Sequence, residues 1–389
     1  MLVSNRVRNL HPYVPGEQPA DRDYVKLNAN ENPYPPSPEV ARSLADFITA
    51  SPEKMGLYPD PDSNALCSAI ASMLNRTGGV LCRCSADING VVSPAPQDKI
   101  GFEITPDMIY AGNGSDEVLS FAFYAFFDPS RPFVTARFTY SFYPVYAGFY
   151  DLLMDAVPLK SDWSLDTDEM IRRASKNHGG MIFANPNAPT GLSLSREQIR
   201  KMLLQTDSND IFIVDEAYAD FGGESCIPLL AEFKNLVIVR TFSKSLCAAG
   251  QRLGYLVASP ELVKIVTSVK NSVNHFPIDV LTQVAGAAAC RNPAYYADCA
   301  KKVCASRDSF QDFLAASGFS VVPSSTNFIF ARHPKISGER LYKSVKNEGI
   351  LIRHFNTPGI EQFVRISVGT PQQMSLLKDA LEKILREEA

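Results

Sequence analysis

Three short segments of the 389-residue chain combine residue types that could support chemistry. The first, residues 111–117 (Ala-Gly-Asn-Gly-Ser-Asp-Glu), follows a strand-like run and opens an apolar helix. Its glycines allow a tight turn, Ser115 can cap the helix, and the free N–H groups of the first helical turn can bind an anion such as phosphate. The segment lacks the glycine patterns of dinucleotide and nucleoside triphosphate sites. On its own it fits an ordinary capped turn better than a binding site.

The other two segments place polar side chains at the ends of buried strands. One apolar run ends in Asp215, and the carboxyl ends of strands in open α/β sheets face the crevice where ligands bind. A second run ends in Ser243 and Lys244, with Arg252 just before the next run. Taken singly, Asp215 could equally cap a helix, and Lys244 could simply reach solvent.

Together these features match the chemical needs of pyridoxal 5'-phosphate. Its phosphate needs a helix N-terminus with hydroxyl and guanidinium donors, its pyridine nitrogen needs a carboxylate, and its aldehyde needs a lysine to form a Schiff base. The turn at residues 111–117, Asp215, Lys244 and Arg252 would supply these groups within one domain. We therefore predict a pyridoxal phosphate site.

Several motifs, in the expected order, resemble those of fold-type I aminotransferases and, more narrowly, of the histidinol-phosphate aminotransferase family. They are Leu27-Asn28-Ala29-Asn30-Glu31-Asn32-Pro33, Tyr58-Pro59-Asp60, Gly112-Asn113-Gly114-Ser115-Asp116-Glu117, Asn185-Pro186-Asn187-Ala188-Pro189-Thr190-Gly191, Asp215-Glu216-Ala217-Tyr218, Arg240-Thr241-Phe242-Ser243-Lys244 with Arg252, and Val364-Arg365-Ile366-Ser367-Val368-Gly369-Thr370. The resemblance runs from about residue 9 to the C-terminus, except for residues 78–103. Aromatic aminotransferases and threonine-phosphate decarboxylases share most of these motifs, so the resemblance is less specific for substrate than for fold and cofactor.

The resemblance implies a role for each motif residue. Lys244 forms the Schiff base and then moves a proton between substrate and cofactor, while Asp215 keeps the pyridine nitrogen protonated. Tyr218 and Asn187 hydrogen-bond the ring hydroxyl, and Tyr140 stacks on the ring. The phosphate is held by the helix turn, by the strand ends and by one tyrosine of the neighbouring subunit: Ser115, Asp116, Ser243, Arg252 and Tyr58. Glu117 is also expected to bind the cofactor.

The resemblance also implies that arginines of a small domain and an N-terminal arm recognise the substrate. Planar guanidiniums at Arg353 and Arg365 suit the phosphate of histidinol phosphate and the side-chain carboxylate of glutamate, which must share one pocket. Ten of the 27 prolines fall within residues 12–61. In the family this arm crosses the dimer and covers the partner's site, with Tyr13 and Asn28 near the substrate.

Three departures from the family pattern bear on the substrate. Ala188 stands where the family has asparagine before Pro-Thr-Gly, which moves the expected ring contact to the preceding asparagine. The segment around Tyr140 is bulkier than usual, with Phe138 and Phe142. The chain also has an inserted segment at residues 78–104. These departures would fit a different or broader substrate.

Short apolar runs that alternate with helical patterns must position these residues. Such runs predict strands of a mainly parallel sheet covered by helices on both faces. The predicted strands are 108–111, 133–136, 153–157, 181–184, 211–214, 237–240 and 253–257. The fold class is therefore α/β, with a large doubly wound, seven-stranded sheet and a small α+β domain. The resemblance implies that this sheet is of the fold-type I kind.

Past residue 260 the pattern changes to longer helices and a few strands. The predicted helices are 261–274, 280–290, 293–317 and 371–388, and the predicted strands are 320–332, 349–353 and 363–367. We predict three parts of the chain: an N-terminal arm over 1–35, a large cofactor domain over 36–272 and a small domain over 273–389.

The composition argues against several other classes of protein. Apolar residues make up 45% and charged residues 21%, and the net charge is −4. These values are unlike those of a disordered chain and provide no basic surface for nucleic acid or an anionic membrane. The eight cysteines and five histidines lack zinc-site spacing. We therefore expect reduced thiols, no metal, no membrane segment and a cytoplasmic location.

We expect a homodimeric transaminase of histidine biosynthesis, with active sites shared between the subunits. It would move an amino group from a small-molecule amino donor to a 2-oxo acid, with histidinol phosphate and 2-oxoglutarate as the pair. The alternatives are an aromatic amino acid aminotransferase and a decarboxylase of threonine phosphate. From another class, a colourless nucleotide-binding or purely interacting α/β protein would use the turn at residues 112–117 for a different anion.

Overall fold

The computed structural model describes residues 4–8, 10–13, 15–82 and 100–388, so that most of the predicted insertion lies outside the described residues. The helices are α1 Asn5–Arg8, α2 Pro38–Ala50, α3 Asn64–Thr77, α4 Gly114–Phe126, α5 Tyr143–Phe149, α6 Thr167–Asn177, α7 Arg196–Gln205, α8 Pro260–Val273, α9 Val280–Arg291, α10 Pro293–Ala316, α11 Gly338–Asn347 and α12 Pro371–Glu387. The strands are β1 Val25–Lys26, β2 Ile109–Gly112, β3 Phe133–Ala136, β4 Met154–Val157, β5 Met181–Ala184, β6 Phe212–Asp215, β7 Leu236–Thr241, β8 Gly254–Val257, β9 Ser320–Val322, β10 Phe328–Arg332, β11 Ile350–Leu351, β12 Arg353–His354 and β13 Val364–Ser367.

A seven-stranded sheet forms the centre of a large lobe. Its strand order is β2-β8-β7-β6-β5-β3-β4; β8 runs antiparallel to β2 and β7, and the other pairs are parallel. Each strand begins and ends within one residue of its predicted bounds. Strands β3, β5, β6 and β7 are buried along their whole length, which explains their continuous apolar sequences. The predicted α/β class is confirmed.

Helices pack on both faces of this sheet. On one face Val214 and Ile238 pack with side chains of α3 and α9, such as Leu66. On the other face Ile213 and Val237 pack with side chains of α4 and α8. Burying each of these aliphatic side chains stabilises the fold by about 1.5–3 kcal/mol. Because the central strands are parallel, their carboxyl ends meet at one edge, where the polar motifs follow.

A small lobe contains a four-stranded antiparallel sheet of order β12-β13-β10-β9. The prediction of one strand over 320–332 was wrong, because residues between β9 and β10 form a turn in which the Thr326 hydroxyl donates to the carbonyl of Phe328 at 3.0 Å. The predicted strand over 349–353 is likewise divided between β11 and β12. The other elements predicted after residue 260 are confirmed within one residue at each end.

The predicted division into an arm and two domains remains a prediction. Helix α9, which lies beyond the proposed boundary at residue 272, packs against α2 and α3 of the large lobe. The arm is fastened to the small lobe of its own chain: β1 pairs in parallel with β11, and Arg22 donates to the carbonyl of Lys346 at 2.7 Å. None of the helices within the described ranges has the length and apolar character needed to cross a membrane.

Candidate active site

Two adjoining cavities lie at the carboxyl ends of the parallel strands. The inner cavity has a volume of about 330 Å³ and the outer cavity one of about 390 Å³, which are sizes typical of small-molecule sites. The inner cavity is walled by eight of the predicted site residues: Ser115, Asp116, Tyr140, Asp215, Tyr218, Ser243, Lys244 and Arg252. The outer cavity shares Lys244 with it and adds Tyr13, Asn28, Arg353 and Arg365.

One end of the inner cavity can bind an anion. Helix α4 begins there at Gly114, and the N–H groups of its first turn have no partner within the helix. Arg252 Nη1 lies 3.5 Å from Ser243 Oγ. Gly254 on β8 allows the first turn of α4 to approach this strand, because a Cβ at Gly254 would lie only 2.4 Å from the Ser115 nitrogen. Hydroxyl, guanidinium and backbone donors therefore converge at this end.

Two acidic residues of this turn differ in where they point. Asp116 lines the inner cavity, where it accepts from Arg252 Nη2 at 3.1 Å and from the Tyr140 hydroxyl at 2.7 Å. Glu117 accepts instead from the Asn113 backbone N–H at 2.7 Å, and it is absent from the described wall of the cavity. The Glu117 carboxylate therefore closes the turn itself, and its contact with the cofactor stays a prediction.

Asp215 is a buried carboxylate at the end of β6. Burial raises its pKa to about 6, although hydrogen bonds from the Tyr143 hydroxyl at 2.9 Å and the Ala217 backbone N–H at 3.1 Å act to lower it. A cation placed beside this carboxylate would favour its ionised form. No role for Tyr143 was predicted from the sequence; its ring lies edge-on to that of Tyr140, with 5.6 Å between ring centres.

Lys244 extends into both cavities from the turn that follows β7. Its Nζ lies 3.4 Å from the carbonyl of Ala29 and 5.9 Å from the centre of the Tyr218 ring. The Tyr218 hydroxyl accepts from Asn30 Nδ2 at 2.9 Å, which leaves its own proton available for a ligand in the cavity. Asn30 therefore positions the Tyr218 hydroxyl, a role that was not predicted from the motif in which Asn30 lies.

The structure does not bring Asn187 into the inner cavity. Its Nδ2 donates to the carbonyl of Phe138 at 2.9 Å and to the Thr190 hydroxyl at 3.1 Å, and its buried Oδ1 finds no partner among the described residues. Ala188 is the residue of this motif that lines the cavity. The local backbone thus turns the Asn187 amide toward Phe138, and its contact with the cofactor ring stays a prediction.

The outer cavity holds two arginines of the small lobe. Arg365 is partly buried between the rings of Phe328 and Phe355, with its Cζ atom 5.3 and 5.7 Å from their centres. Its Nη2 donates to the carbonyl of Asn28 at 3.2 Å, and its Nε has no hydrogen-bond partner within the described part of the chain. Arg353 lies opposite Arg365 on β12. The pair forms a positively charged wall suited to an anionic group.

The described part of the N-terminal arm lines the outer cavity of its own chain. Tyr13 packs against Phe142 with 4.9 Å between ring centres, and Asn28 Nδ2 donates to the carbonyl of Glu17 at 2.9 Å. Tyr13 and Asn28 thus lie where substrate residues were expected. The arm itself lies on its own small lobe, whereas sequence analysis placed it over the site of a partner subunit.

Tyr58 lies away from the cavities of its own chain. It is 83% exposed and stacks on Phe276 with 4.6 Å between ring centres. It is absent from the described walls of both cavities.

The His, Cys, Asp and Glu side chains of the described residues form no group of three or more that could hold a metal ion.

The site therefore combines an amine, a buried carboxylate and two separate anion-binding regions around one continuous space. The chain belongs to the family described as aminotransferase class I and II, whose model matches residues 22–382. Within this class it belongs with the histidinol-phosphate aminotransferases. Proteins of that name from Syntrophus aciditrophicus and Chromohalobacter salexigens are 41% and 42% identical to it, each over 98% of this chain and over 98% and 99% of their own lengths.

Solved structures support the same fold. The histidinol-phosphate aminotransferase of Sinorhizobium meliloti, solved in complex with pyridoxal-5'-phosphate, matches 100% of this chain and 98% of its own with a TM-score of 0.82 at 22% identity. The histidinol-phosphate aminotransferase of Clostridium acetobutylicum matches 93% of this chain and 99% of its own with a TM-score of 0.77 at 22% identity. The chain is thus a fold-type I aminotransferase.

Proposed function

We propose that the chain is a pyridoxal 5'-phosphate-dependent transaminase that moves the amino group between histidinol phosphate and 2-oxoglutarate. The observation that supports this most directly is that Lys244 and Asp215 line one cavity whose end is an anion site. The names of the relatives at 41% and 42% identity support histidinol phosphate as the amino donor.

The residues of the inner cavity fit this cofactor. The phosphate would lie at the first turn of α4, within reach of Ser115, Ser243 and Arg252. Asp215 would hold the pyridine nitrogen, and Lys244 would bond the aldehyde carbon. When bound, pyridoxal 5'-phosphate supplies an electron-accepting ring. With Ala188 in the motif and Asn187 turned away, the Tyr218 hydroxyl would be the side-chain donor to the ring oxygen.

Asp215 would hold a proton on the ring nitrogen. Its carboxylate is buried and fixed by the Tyr143 hydroxyl and the Ala217 N–H, so that it is oriented before a ligand enters. Because burial raises the pKa of Asp215 to about 6, a positive charge beside the carboxylate would stabilise its ionised form. The residue is therefore arranged to stabilise a protonated pyridine nitrogen.

Lys244 would act as the proton carrier. Its side chain lines both cavities, from where the amine would take the proton from the α-carbon of a bound amino donor. The carbonyl of Ala29, 3.4 Å from Nζ, orients the amine. Small-lobe and arm residues that wall the outer cavity would exclude water during this transfer.

Arg353 and Arg365 would select the anionic end of each substrate. Both half-reactions use one pocket, in which the phosphate of histidinol phosphate and the side-chain carboxylate of glutamate take turns. The unpartnered, buried Nε of Arg365 within the described structure supports an anion as its missing partner. Bidentate pairing with a guanidinium suits both groups.

Tyr58 would complete the phosphate site of a partner subunit in a homodimer. Its exposed ring and its distance from the cavities of its own chain support this role. We also propose a cytoplasmic location; the described cysteines have free thiols, which is usual for proteins of that compartment.

One observation favours a second candidate, an aromatic amino acid aminotransferase. The outer cavity is lined by the aromatic rings of Tyr13, Phe138, Tyr140 and Phe355, which could receive an aromatic side chain. The ratio of kcat/KM for histidinol phosphate to that for phenylalanine, with 2-oxoglutarate as acceptor, separates the two. We expect a ratio well above one. A ratio below one would replace the proposed substrate by an aromatic amino acid.

A further inference from the structure

A buried ionic cluster lies directly behind the inner cavity. It consists of Arg240 on β7 and the carboxylates of Glu216 and Asp220, each less than a tenth exposed, together with the hydroxyls of Ser225 and Ser245. We call this group the Arg240 cluster. It is separated from the inner cavity by Ala217 and Thr241, which border both.

The hydrogen bonds of Arg240 hold the two carboxylates in place. Its Nε and Nη2 lie 2.9 and 2.8 Å from Glu216 Oε2, its Nη1 lies 3.4 Å from each oxygen of Asp220, and its Nη2 also donates to the carbonyl of Gly79. These contacts involve all three nitrogens of the guanidinium. Burial alone would lower the pKa of Arg240, but Glu216 and Asp220 hold it above its usual value.

Asp220 connects this cluster to the turn that carries Lys244. Its Oδ2 accepts from the Ser245 hydroxyl at 2.6 Å, and its Oδ1 accepts from the Leu81 backbone N–H at 2.7 Å. Because Arg240, Ser245 and Leu81 all bond to this one carboxylate, its orientation is fixed. Ser245 is the residue immediately after Lys244, and its side chain is buried.

The residues on either side of Lys244 are anchored in different places. Ser243 lines the inner cavity near Arg252, and Ser245 is bonded to the Arg240 cluster. The carbonyl of Lys244 itself accepts from Asn32 Nδ2 at 3.0 Å. The backbone at Lys244 is thus held from the cavity side, from the cluster side and from the arm.

We infer that Asp220, held by Arg240, is a positioning residue for Lys244 and acts through the Ser245 hydroxyl. Proton transfer needs the amine within hydrogen-bond reach of the reacting carbons, and a misplacement of about 1 Å can cost up to about a hundredfold in rate. A fixed buried ion pair provides a more rigid support for that backbone than a water-exposed contact. The inference rests on Lys244 being the amine that bonds the cofactor.

The chain offers a matched pair of serine variants to test this. Ser245→Ala removes the bond from the Lys244 turn to Asp220. Ser225→Ala removes an equivalent buried hydroxyl from the same cluster, one that donates to Glu216 Oε2 at 2.8 Å. Each variant is reconstituted with pyridoxal 5'-phosphate, and four measurements are compared. They are the melting temperature, the rate at which apoenzyme gains the visible absorption band, the visible circular dichroism of that band, and the steady-state kinetics that give kcat and KM.

For Ser245→Ala we expect kcat to fall by about tenfold with KM within about twofold, together with slower reconstitution and weaker visible circular dichroism. Ser225→Ala, with a similar fall in melting temperature, should match the wild type in the other three measurements. Arg240→Lys keeps the charge but has fewer donors, and it should change reconstitution and circular dichroism in the same direction as Ser245→Ala.

Equal behaviour of the two serine variants in reconstitution, circular dichroism and kcat would overturn the positioning role, because the loss would then be one of general stability. A wild-type protein that gains no visible band with pyridoxal 5'-phosphate would instead overturn the proposed function. The two failures are therefore distinguishable.

Discussion

Arg353 and Arg365 lie directly opposite each other on the adjacent antiparallel strands β12 and β13, and both line the outer cavity. Like charges at facing positions of a sheet repel one another. Burial lowers the pKa of Arg365 because the charged guanidinium is removed from water. An anionic group bound between the two guanidiniums would offset this repulsion.

Replacing Arg365 by lysine should therefore weaken both half-reactions. Arg365→Lys keeps the positive charge but loses the planar pair of donors, and we expect kcat/KM to fall by about a hundredfold for histidinol phosphate and for glutamate alike. Arg332→Lys, at the exposed end of the neighbouring strand β10, is the control and should change kcat/KM by less than about twofold. A loss confined to one of the two substrates would show that they do not share this arginine.

The Tyr143 hydroxyl should set the pH range of cofactor binding. Removing it in Tyr143→Phe takes a donor from the ionised form of Asp215, so the pKa of that carboxyl should rise by about one unit. Because Asp215 must be ionised to hold the pyridine nitrogen, the acidic limb of cofactor affinity should shift to higher pH by the same amount. Cofactor titrations across pH measure this shift.

Tyr146→Phe is the matched control for that experiment. Its hydroxyl bonds the backbone carbonyl of Asp116 at 2.8 Å rather than Asp215. The acidic limb should therefore stay at its wild-type position in Tyr146→Phe. An identical shift in both variants would mean that Tyr143 does not act through Asp215.

The stability of the apoenzyme should depend on pH through Asp215. The pKa of this carboxyl is raised from 3.8 to about 6 in the folded chain, so the folded state holds the proton more tightly than the unfolded state. Its contribution is complete below about pH 4 and is lost as the pH rises through about 6, a change of about 3 kcal/mol. The free energy of unfolding of the wild-type apoenzyme, measured relative to that of Asp215→Asn, should therefore fall by about 3 kcal/mol as the pH rises from about 4 to above 6. If the unfolding free energies of the two proteins changed equally with pH, the raised pKa of Asp215 would be contradicted.

Tyr58 should act on the phosphate of the partner subunit. If so, mixing Tyr58→Phe with Lys244→Ala subunits gives heterodimers in which one site has both the lysine of one subunit and the tyrosine of the other. We expect such mixtures to regain activity above that of either variant alone. Heterodimers that form but show no gain would place Tyr58 outside the site.

Sequence analysis could predict the large sheet closely because its strands are buried on both faces, so each is a continuous apolar run. It predicted the residues at the strand ends for the same reason, since Asp215 and Lys244 follow such runs directly. It could not predict that Asn187 turns away or that Glu117 closes its own turn, because these depend on local backbone geometry. Tyr143 and Ser245 were missed because their partners, Asp215 and Asp220, lie on other segments.

The central claim is that Lys244 bonds the cofactor and transfers the amino group of the donor. It is tested most directly by a single turnover in which histidinol phosphate is added to enzyme loaded with pyridoxal 5'-phosphate, while the visible absorbance and the oxo product are followed. The account predicts that the band disappears with one equivalent of oxo product per site, and that Lys244→Ala gives neither the original band nor the product. An unchanged band in the wild type, or the same band and product in Lys244→Ala, would contradict it.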